Sequence, residues 1–250
     1  MFKTGLVSVS FRGHSPEEIL RCMQKVGLKF IEWGSDVHAP VNDGKVLAAL
    51  SALQRKFGIR CCSYGTYFRI GQEKPEEILQ YIRAASILET RVLRIWAGGK
   101  GSAEYTLQEK ARFLDDCRRL ADIAEKESVV LGLECHHHTM TDDADAALEL
   151  MTRVHSENFR MYWQPNQFKS QDENLKSAEK LAAYTHTVHV FNWQGNERFP
   201  LASGMEIWQK YLKCFRGSET LLLEFMPDDS LNSLPAEANS LFALTGGRKS

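Results

Sequence analysis

Short apolar runs alternate with longer amphipathic ones along the whole chain. The apolar runs fall at Leu6–Ser10, Phe30–Gly34, Arg60–Gly65, Val92–Gly98, Val130–His136, Phe159–Pro165, Thr187–Trp193 and Leu221–Met226. They are rich in Val, Ile, Phe, Tyr and Trp, which suit a pleated strand. Several are apolar on both faces, as parallel strands covered by helices are. The segments between them read as helices. Ser15-Pro16-Glu17-Glu18 supplies an N-cap serine, a proline for the first turn and two acids. Lys74-Pro75-Glu76-Glu77 repeats that opening without the cap. Over Leu107–Lys126, the residues Leu107, Ala111, Leu114, Cys117 and Ala121 recur near helical spacing. Asp143–Val154, Asp172–Tyr184, Gly204–Phe215 and Pro235–Leu244 fill the later helical slots, and Gly27 and Gly58 stand where C-terminal caps belong.

Eight strand–helix units in 250 residues give about 31 residues per unit. Right-handed βα crossovers repeated eight times close into a (β/α)8 barrel. An open doubly wound sheet would want a glycine-rich first turn, and Ser8-Val9-Ser10-Phe11-Arg12-Gly13 is not one. No linker or low-complexity stretch divides the chain. Residues 1–250 are therefore expected to form one α/β domain, with a loose tail over 246–250.

Charge removes several partners from consideration. Lys plus Arg total 31 and Asp plus Glu total 32, a formal net charge of -1. That balance gives no pull toward nucleic acid or an acidic membrane surface. No apolar run approaches the roughly 20 residues that span a bilayer, and Met1-Phe2-Lys3-Thr4 runs straight into a strand rather than a signal-peptide core. The six cysteines form no C-x-x-C pair and read as buried thiols of a reducing compartment. A cytoplasmic location is the expectation.

In a (β/α)8 barrel, functional side chains stand at the C-terminal ends of strands. The ends of the last four runs carry Glu134, Gln164, His189 and Glu224, separated by 30, 25 and 35 residues. Similar depth on four successive strands brings them to one place. Two carboxylates, an imidazole and an amide oxygen make a donor set for one divalent cation, Mn²⁺, Mg²⁺, Co²⁺ or Zn²⁺. Both glutamates follow apolar runs, Leu131-Gly132-Leu133 and Leu221-Leu222-Leu223, where an unpaired carboxylate is costly.

With these residues in view, the chain resembles the xylose isomerase-like TIM barrels, the sugar-phosphate isomerase/epimerase family related to endonuclease IV. The resemblance spans essentially the whole chain. It is strongest at Phe30-Ile31-Glu32-Trp33-Gly34, Leu131-Gly132-Leu133-Glu134-Cys135-His136, Val188-His189-Val190 and Leu222-Leu223-Glu224. It implies that Glu134, His189 and Glu224 bind one metal and that the two glutamates move the proton. Where the family shows Asp-x-x-His, this chain reads Gln164-Pro165-Asn166-Gln167, so the fourth ligand keeps its oxygen and loses its charge. The implied chemistry is proton abstraction beside a carbonyl, with an enediolate stabilised by the metal. Epimerisation, isomerisation and an inosose dehydratase-like elimination are neighbours on this scaffold. The substrate is expected to be a small sugar or sugar phosphate, and the resemblance implies a homodimer or homotetramer. A multi-metal nuclease would want more histidines and aspartates. A sugar-binding barrel without catalysis is the reading that Gln164 supports.

Other residues are candidates to frame a pocket. Trp33, Tyr64, Tyr67, Trp96, Trp163, Phe191 and Trp193 lie near strand ends, where rings cover the apolar face of a sugar. Trp33, Tyr64, Trp96 and Trp193 are taken as substrate contacts, with His38, His136, Gln167 and Arg198. Arg198 could meet a substrate oxygen or phosphate. Glu32 and Arg94 are expected to pair inside the barrel. His137 and His138 read as loop residues. Gly98-Gly99-Lys100-Gly101 lacks the Walker spacing and reads as a turn.

Overall fold

A computed structural model describes residues 2–246. The eight barrel strands are β1 (Lys3–Val7), β2 (Phe30–Gly34), β3 (Arg60–Arg69), β4 (Val92–Trp96), β5 (Val130–Glu134), β6 (Phe159–Trp163), β7 (Thr185–Val190) and β8 (Thr220–Leu223). All neighbours pair in parallel, and β8 closes on β1, so the sheet is the expected TIM barrel. The covering helices are α1 (Pro16–Val26), α2 (Gly44–Lys56), α3 (Ile78–Ile87), α4 (Leu107–Lys126), α5 (Ala144–Val154), α6 (Gln171–Leu181), α7 (Met205–Cys214) and α8 (Leu234–Leu244). A short antiparallel hairpin pairs Trp193–Gln194 with Glu197–Arg198 in the loop after β7.

The local signals act as their chemistry predicts. Ser15 caps α1 through the Glu18 N–H, and the Glu18 carboxylate accepts in return from the Ser15 N–H at 2.8 Å. Gly27 ends that helix at φ 86°, in the left-handed region that glycine enters freely. Pro75 opens a 3-10 turn over Pro75–Glu77 before α3 begins, because Lys74 offers no side-chain cap. The first strand lies earlier than the apolar run indicated. Pairing with Thr220–Leu223 fixes β1 at Lys3–Val7, and Ser8–Phe11 turns into a 3-10 helix. Residues 247–250, most of the tail expected to be loose, lie outside the described residues.

Two apolar regions hold the barrel. The larger lies between strands and helices, where Leu6, Ile31, Trp33, Leu131, Leu133 and Trp163 face the helix ring. The smaller fills the inside with Val7, Val9, Tyr162 and Leu222. Gly132 is required by this inner packing, since a Cβ there would lie 2.2 Å from the Tyr162 ring. All six cysteines are free thiols; Cys61, Cys117 and Cys135 are buried, while Cys22, Cys62 and Cys214 are only partly so. Among the described residues, no helix is long and apolar enough to cross a membrane.

Candidate active site

Side chains alternate across a strand, so the residues flanking apolar Leu131 and Leu133 point inward. Glu134 is therefore carried into the barrel mouth at the end of β5, and His189 arrives in the same way from β7. Glu224 sits one residue past β8, where its N–H still donates to Val190 O at 3.0 Å. Its neighbour Phe225 has φ 54°, a conformation that costs a non-glycine residue about 1–3 kcal/mol. The Phe225 N–H donates to Ser10 Oγ at 2.8 Å, which holds this turn.

The ligand atoms of Glu134, His189 and Glu224 all lie within 4.8 Å of one another, and all three residues are buried. His189 Nδ1 is the nitrogen turned to the cluster. It lies 3.0 Å from Gln164 Oε1, 3.3 Å from Glu224 Oε2 and 3.5 Å from Glu134 Oε1. Its Nε2 faces Glu32 Oε1 at 3.8 Å, too long for a direct hydrogen bond. A carboxylate behind the outer nitrogen is the arrangement that orients a ligating imidazole.

Arg94 holds the acidic groups apart. Its Nε donates to Glu32 Oε1 at 2.9 Å, and its Nη1 donates to Glu134 Oε2. Ser63 Oγ donates to the other Glu32 oxygen at 2.6 Å. Burial opposes ionisation of Glu32, but Arg94, His189 and Ser63 hold its pKa at about 2. Glu134 is held below the usual carboxylate range against the same burial, chiefly by Arg94. Burial likewise disfavours a charged His189, yet Glu224 and Glu134 raise its pKa well above the ordinary value.

Three buried carboxylates surround one guanidinium, which leaves two negative charges to balance. Imidazolium formation at His189 answers one of them. A divalent cation answers both and leaves the imidazole neutral, as a ligand must be. The donor set of two carboxylates, one imidazole nitrogen and one amide oxygen fits such an ion. Glu134, His189, Glu224 and Gln164 would hold it.

Above this cluster opens a pocket of about 230 Å³. Glu134, Gln164 and Glu224 form part of its lining, with Trp96, Phe191 and Trp193 among its apolar walls. His136 and Gln167 also line it, as expected, and His136 packs 4.6 Å from Trp96. His137 lines it too, stacked 4.2 Å from His136, so it is more than a loop residue. A larger groove of about 460 Å³ lies between the loops after β3 and β4 and the start of α4. Its Lys100 is neutralised by Glu109 at 2.7 Å, and no cluster of metal-binding residues faces it among the described residues.

Four expected substrate contacts are elsewhere. Trp33 is fully buried outside the barrel, because inward-facing Glu32 sends its neighbour outward; its Nε1 donates to Gln54 of α2 at 3.0 Å. Tyr64 also faces the helices, and its hydroxyl donates to Ala39 O at 2.6 Å. His38 packs 5.8 Å from Trp33, with its Nε2 3.0 Å from His14 O, and ties two loops together. Arg198 stands behind the pocket wall, paired with Asp229 and lying over Trp193 and Phe225 at 4.7 and 4.9 Å. Trp163, another ring near a strand end, is core among Trp208, Tyr211 and Phe215.

Val9, Arg12 and Phe225 line the pocket and were missed. The first strand ends at Val7 rather than Ser10, so the residues after it reach the mouth sooner than the apolar run indicates. Arg12 at the end of the first loop was the available signal.

The family model for the xylose isomerase-like TIM barrel matches residues 20–218. A 3-dehydroshikimate dehydratase of Bacillus anthracis is 29% identical over 86 residues, 34% of this chain and 31% of that protein. The structure of the probable 3-DHS dehydratase AsbF from Bacillus anthracis superposes with a TM-score of 0.80 at 20% identity, over 96% of this chain and 98% of that one. D-psicose 3-epimerase from Clostridium cellulolyticum H10 gives a TM-score of 0.72 at 12% identity, over 96% and 97%. Likeness at these structural identities shows a shared fold, and a fold hosts many reactions. The family match spans most of the chain and includes Glu134 and His189 at the mouth, so this protein belongs to the xylose isomerase-like TIM barrel family.

Proposed function

We propose that this protein is a divalent-metal-dependent isomerase or epimerase that moves a proton beside the carbonyl of a small polyhydroxylated substrate. The observation that carries this reading is the cluster at the mouth. Glu134, Gln164, His189 and Glu224 converge below a sugar-sized pocket with two negative charges in need of a cation. Bound there, the cation supplies Lewis acidity to substrate oxygens.

The chain's own residues do the rest. Glu224, which among the described residues is paired with His189 and with no arginine or lysine, takes the proton from the carbon beside the carbonyl. The electron pair moves to the carbonyl oxygen. Return of the proton to the former carbonyl carbon, as the hydroxyl proton passes from the neighbouring oxygen to the former carbonyl oxygen, isomerises the substrate; delivery to the opposite face of a proton that Glu134 takes up from water, while Glu224 releases its own to water, epimerises it. Trp96, Phe191 and Trp193 cover the substrate's C–H faces and exclude water.

A second reading is elimination of water from such a substrate. The hold of Arg94 on one Glu134 oxygen favours it, because the two glutamates become unequal as acids and bases. Elimination needs one base, Glu224, and one acid for the departing hydroxyl, a place His136 occupies on the pocket wall. The likeness to 3-dehydroshikimate dehydratase supports the same reading.

The test is proton NMR in D₂O with Mn²⁺-loaded protein and a panel of aldoses, ketoses, their phosphates and 3-dehydroshikimate. Isomerase or epimerase action replaces a C–H beside the carbonyl by C–D and yields an isomer. Elimination yields a new C=C and a product lighter by one water. Glu224→Gln should slow either by about 10²–10⁴-fold. A metal-loaded protein that exchanges no proton of any panel member would sink both readings.

A further inference from the structure

The pocket has few fixed cations, and each is already matched. Among the described residues, the lysine and arginine side chains lining it are Arg12 and Arg94. Arg94 is buried between Glu32 and Glu134. Arg12 stands at the mouth, partly exposed, and is held on three sides. Its Nε donates to Asp36 Oδ2, its Nη2 to Tyr67 Oη at 2.8 Å and its Nη1 to Val9 O at 3.2 Å. The Tyr67 hydroxyl donates to the same Asp36 oxygen at 3.2 Å. Behind the opposite wall, Arg198 is paired with Asp229 and covers two aromatic rings.

A phosphate or carboxylate entering this mouth finds Arg12 already held by Asp36, Arg198 behind the wall held by Asp229, and carboxylates on the floor. Apart from the ion that the floor carboxylates would hold, it gives up hydration without gaining a free cation. Hydroxyl groups carry no such cost. The amides of Gln164 and Gln167 offer them neutral donors and acceptors, and Trp96 and Trp193 offer flat apolar faces.

We propose that the pocket selects an uncharged polyhydroxylated carbonyl compound and discriminates against phosphorylated and carboxylated ones, with Asp36 and Asp229 as the residues that set this preference. The proposal rests on the proton-transfer reading above, and it narrows that reading to free sugars or cyclic polyols. It also sets the site apart from one that takes 3-dehydroshikimate, an anion.

The test titrates tryptophan fluorescence of the Mn²⁺-loaded protein with matched pairs: D-fructose and D-fructose 6-phosphate, D-xylulose and D-xylulose 5-phosphate. Inorganic phosphate is the competitor. The free ketose of at least one pair should bind about tenfold or more tightly than its phosphate, and inorganic phosphate should not displace it. Asp36→Asn and Asp229→Asn each free an arginine at an exposed or partly exposed position, and should shrink that preference about tenfold. Circular dichroism establishes that both variants are folded. Wild-type protein that binds a phosphate ester as tightly as its free ketose would overturn the proposal while leaving proton transfer intact. So would an unaltered preference in both folded variants. Silence from both members of every pair, with metal retained, would overturn the sugar reading and this inference with it.

Discussion

Gly65 and Arg94 are partners across the β3–β4 ladder, and the missing side chain of the first is the seat of the second. A Cβ on Gly65 would lie 2.6 Å from Glu32 Oε1 and 2.9 Å from Arg94 Nη2. Both atoms belong to a buried ion pair. Gly65→Ala should therefore destabilise by about 1–3 kcal/mol through overpacking. It should also displace Arg94 from Glu134 and weaken Mn²⁺ binding. Urea denaturation and calorimetric titration check the two effects; a variant unchanged in both would show that the ion pair adjusts freely.

Removing the guanidinium has a larger effect than crowding it. Arg94→Met leaves Glu32 and Glu134 buried without their cation, and breaking a buried pair costs about 3–5 kcal/mol. Saturating Mn²⁺ should restore part of that loss, about 2.7 kcal/mol at one hundred times the Kd. Thermal melts with and without Mn²⁺ measure this, and the same melting temperature for wild type and variant in the absence of metal would contradict it.

Acid sensitivity follows from Glu32. Its folded pKa of about 2 lies below the unfolded value near 4.3, so its contribution to stability is present above about pH 4.3 and lost as the pH falls toward 2. Glu134 acts in the same direction. The Glu32 contribution amounts to roughly 3 kcal/mol at most. His189 carries the opposite sign: its raised pKa gives stability below its unfolded value near 6.5, lost as the pH rises through the folded pKa. Glu32→Gln should flatten the stability profile between pH 4.3 and 2. Denaturation midpoints across that range in both proteins decide it.

Gln164 limits the charge of the donor set. Gln164→Asp adds one negative charge beside His189, and unit charges about 4 Å apart interact by about 4 kcal/mol at an effective dielectric near 20, an upper bound once desolvation is counted. Mn²⁺ affinity should rise by one to two decades, roughly, in calorimetric titration and in metal retained after desalting, read by plasma mass spectrometry. Equal affinity would place Gln164 outside the ligand set.

Trp33 separates core from pocket. Trp33→Phe loses the 3.0 Å hydrogen bond to Gln54 and should destabilise by about 1 kcal/mol or somewhat more. Binding of the free ketose in the fluorescence titration should be unchanged. Trp193→Phe should weaken that binding with little effect on stability. The reverse pattern would return Trp33 to the pocket.

Several parts of this protein could be read without coordinates. The alternation of apolar runs and amphipathic segments fixes eight βα units, because strand and helix periods are local properties of the chain. The unit length brings Glu134, Gln164, His189 and Glu224 to similar depth, since each stands at or next to the C-terminal end of its strand and all the strands of a closed parallel sheet end on the same rim. Other features depended on contacts distant in sequence. Pairing of β1 with β8 placed the first strand at Lys3–Val7 and so put Arg12 at the mouth. Strand alternation turned Glu32 inward, and with it Trp33 went to the helix layer, a choice between two faces that a run apolar on both sides does not reveal. The pairing of Arg12 with Asp36 and of Arg198 with Asp229 joins loops 24 and 31 residues apart in the chain. Periodicity determined which elements form; only the closure of the barrel decided which side chains share a charge balance, because electrostatic partners are chosen by distance in space.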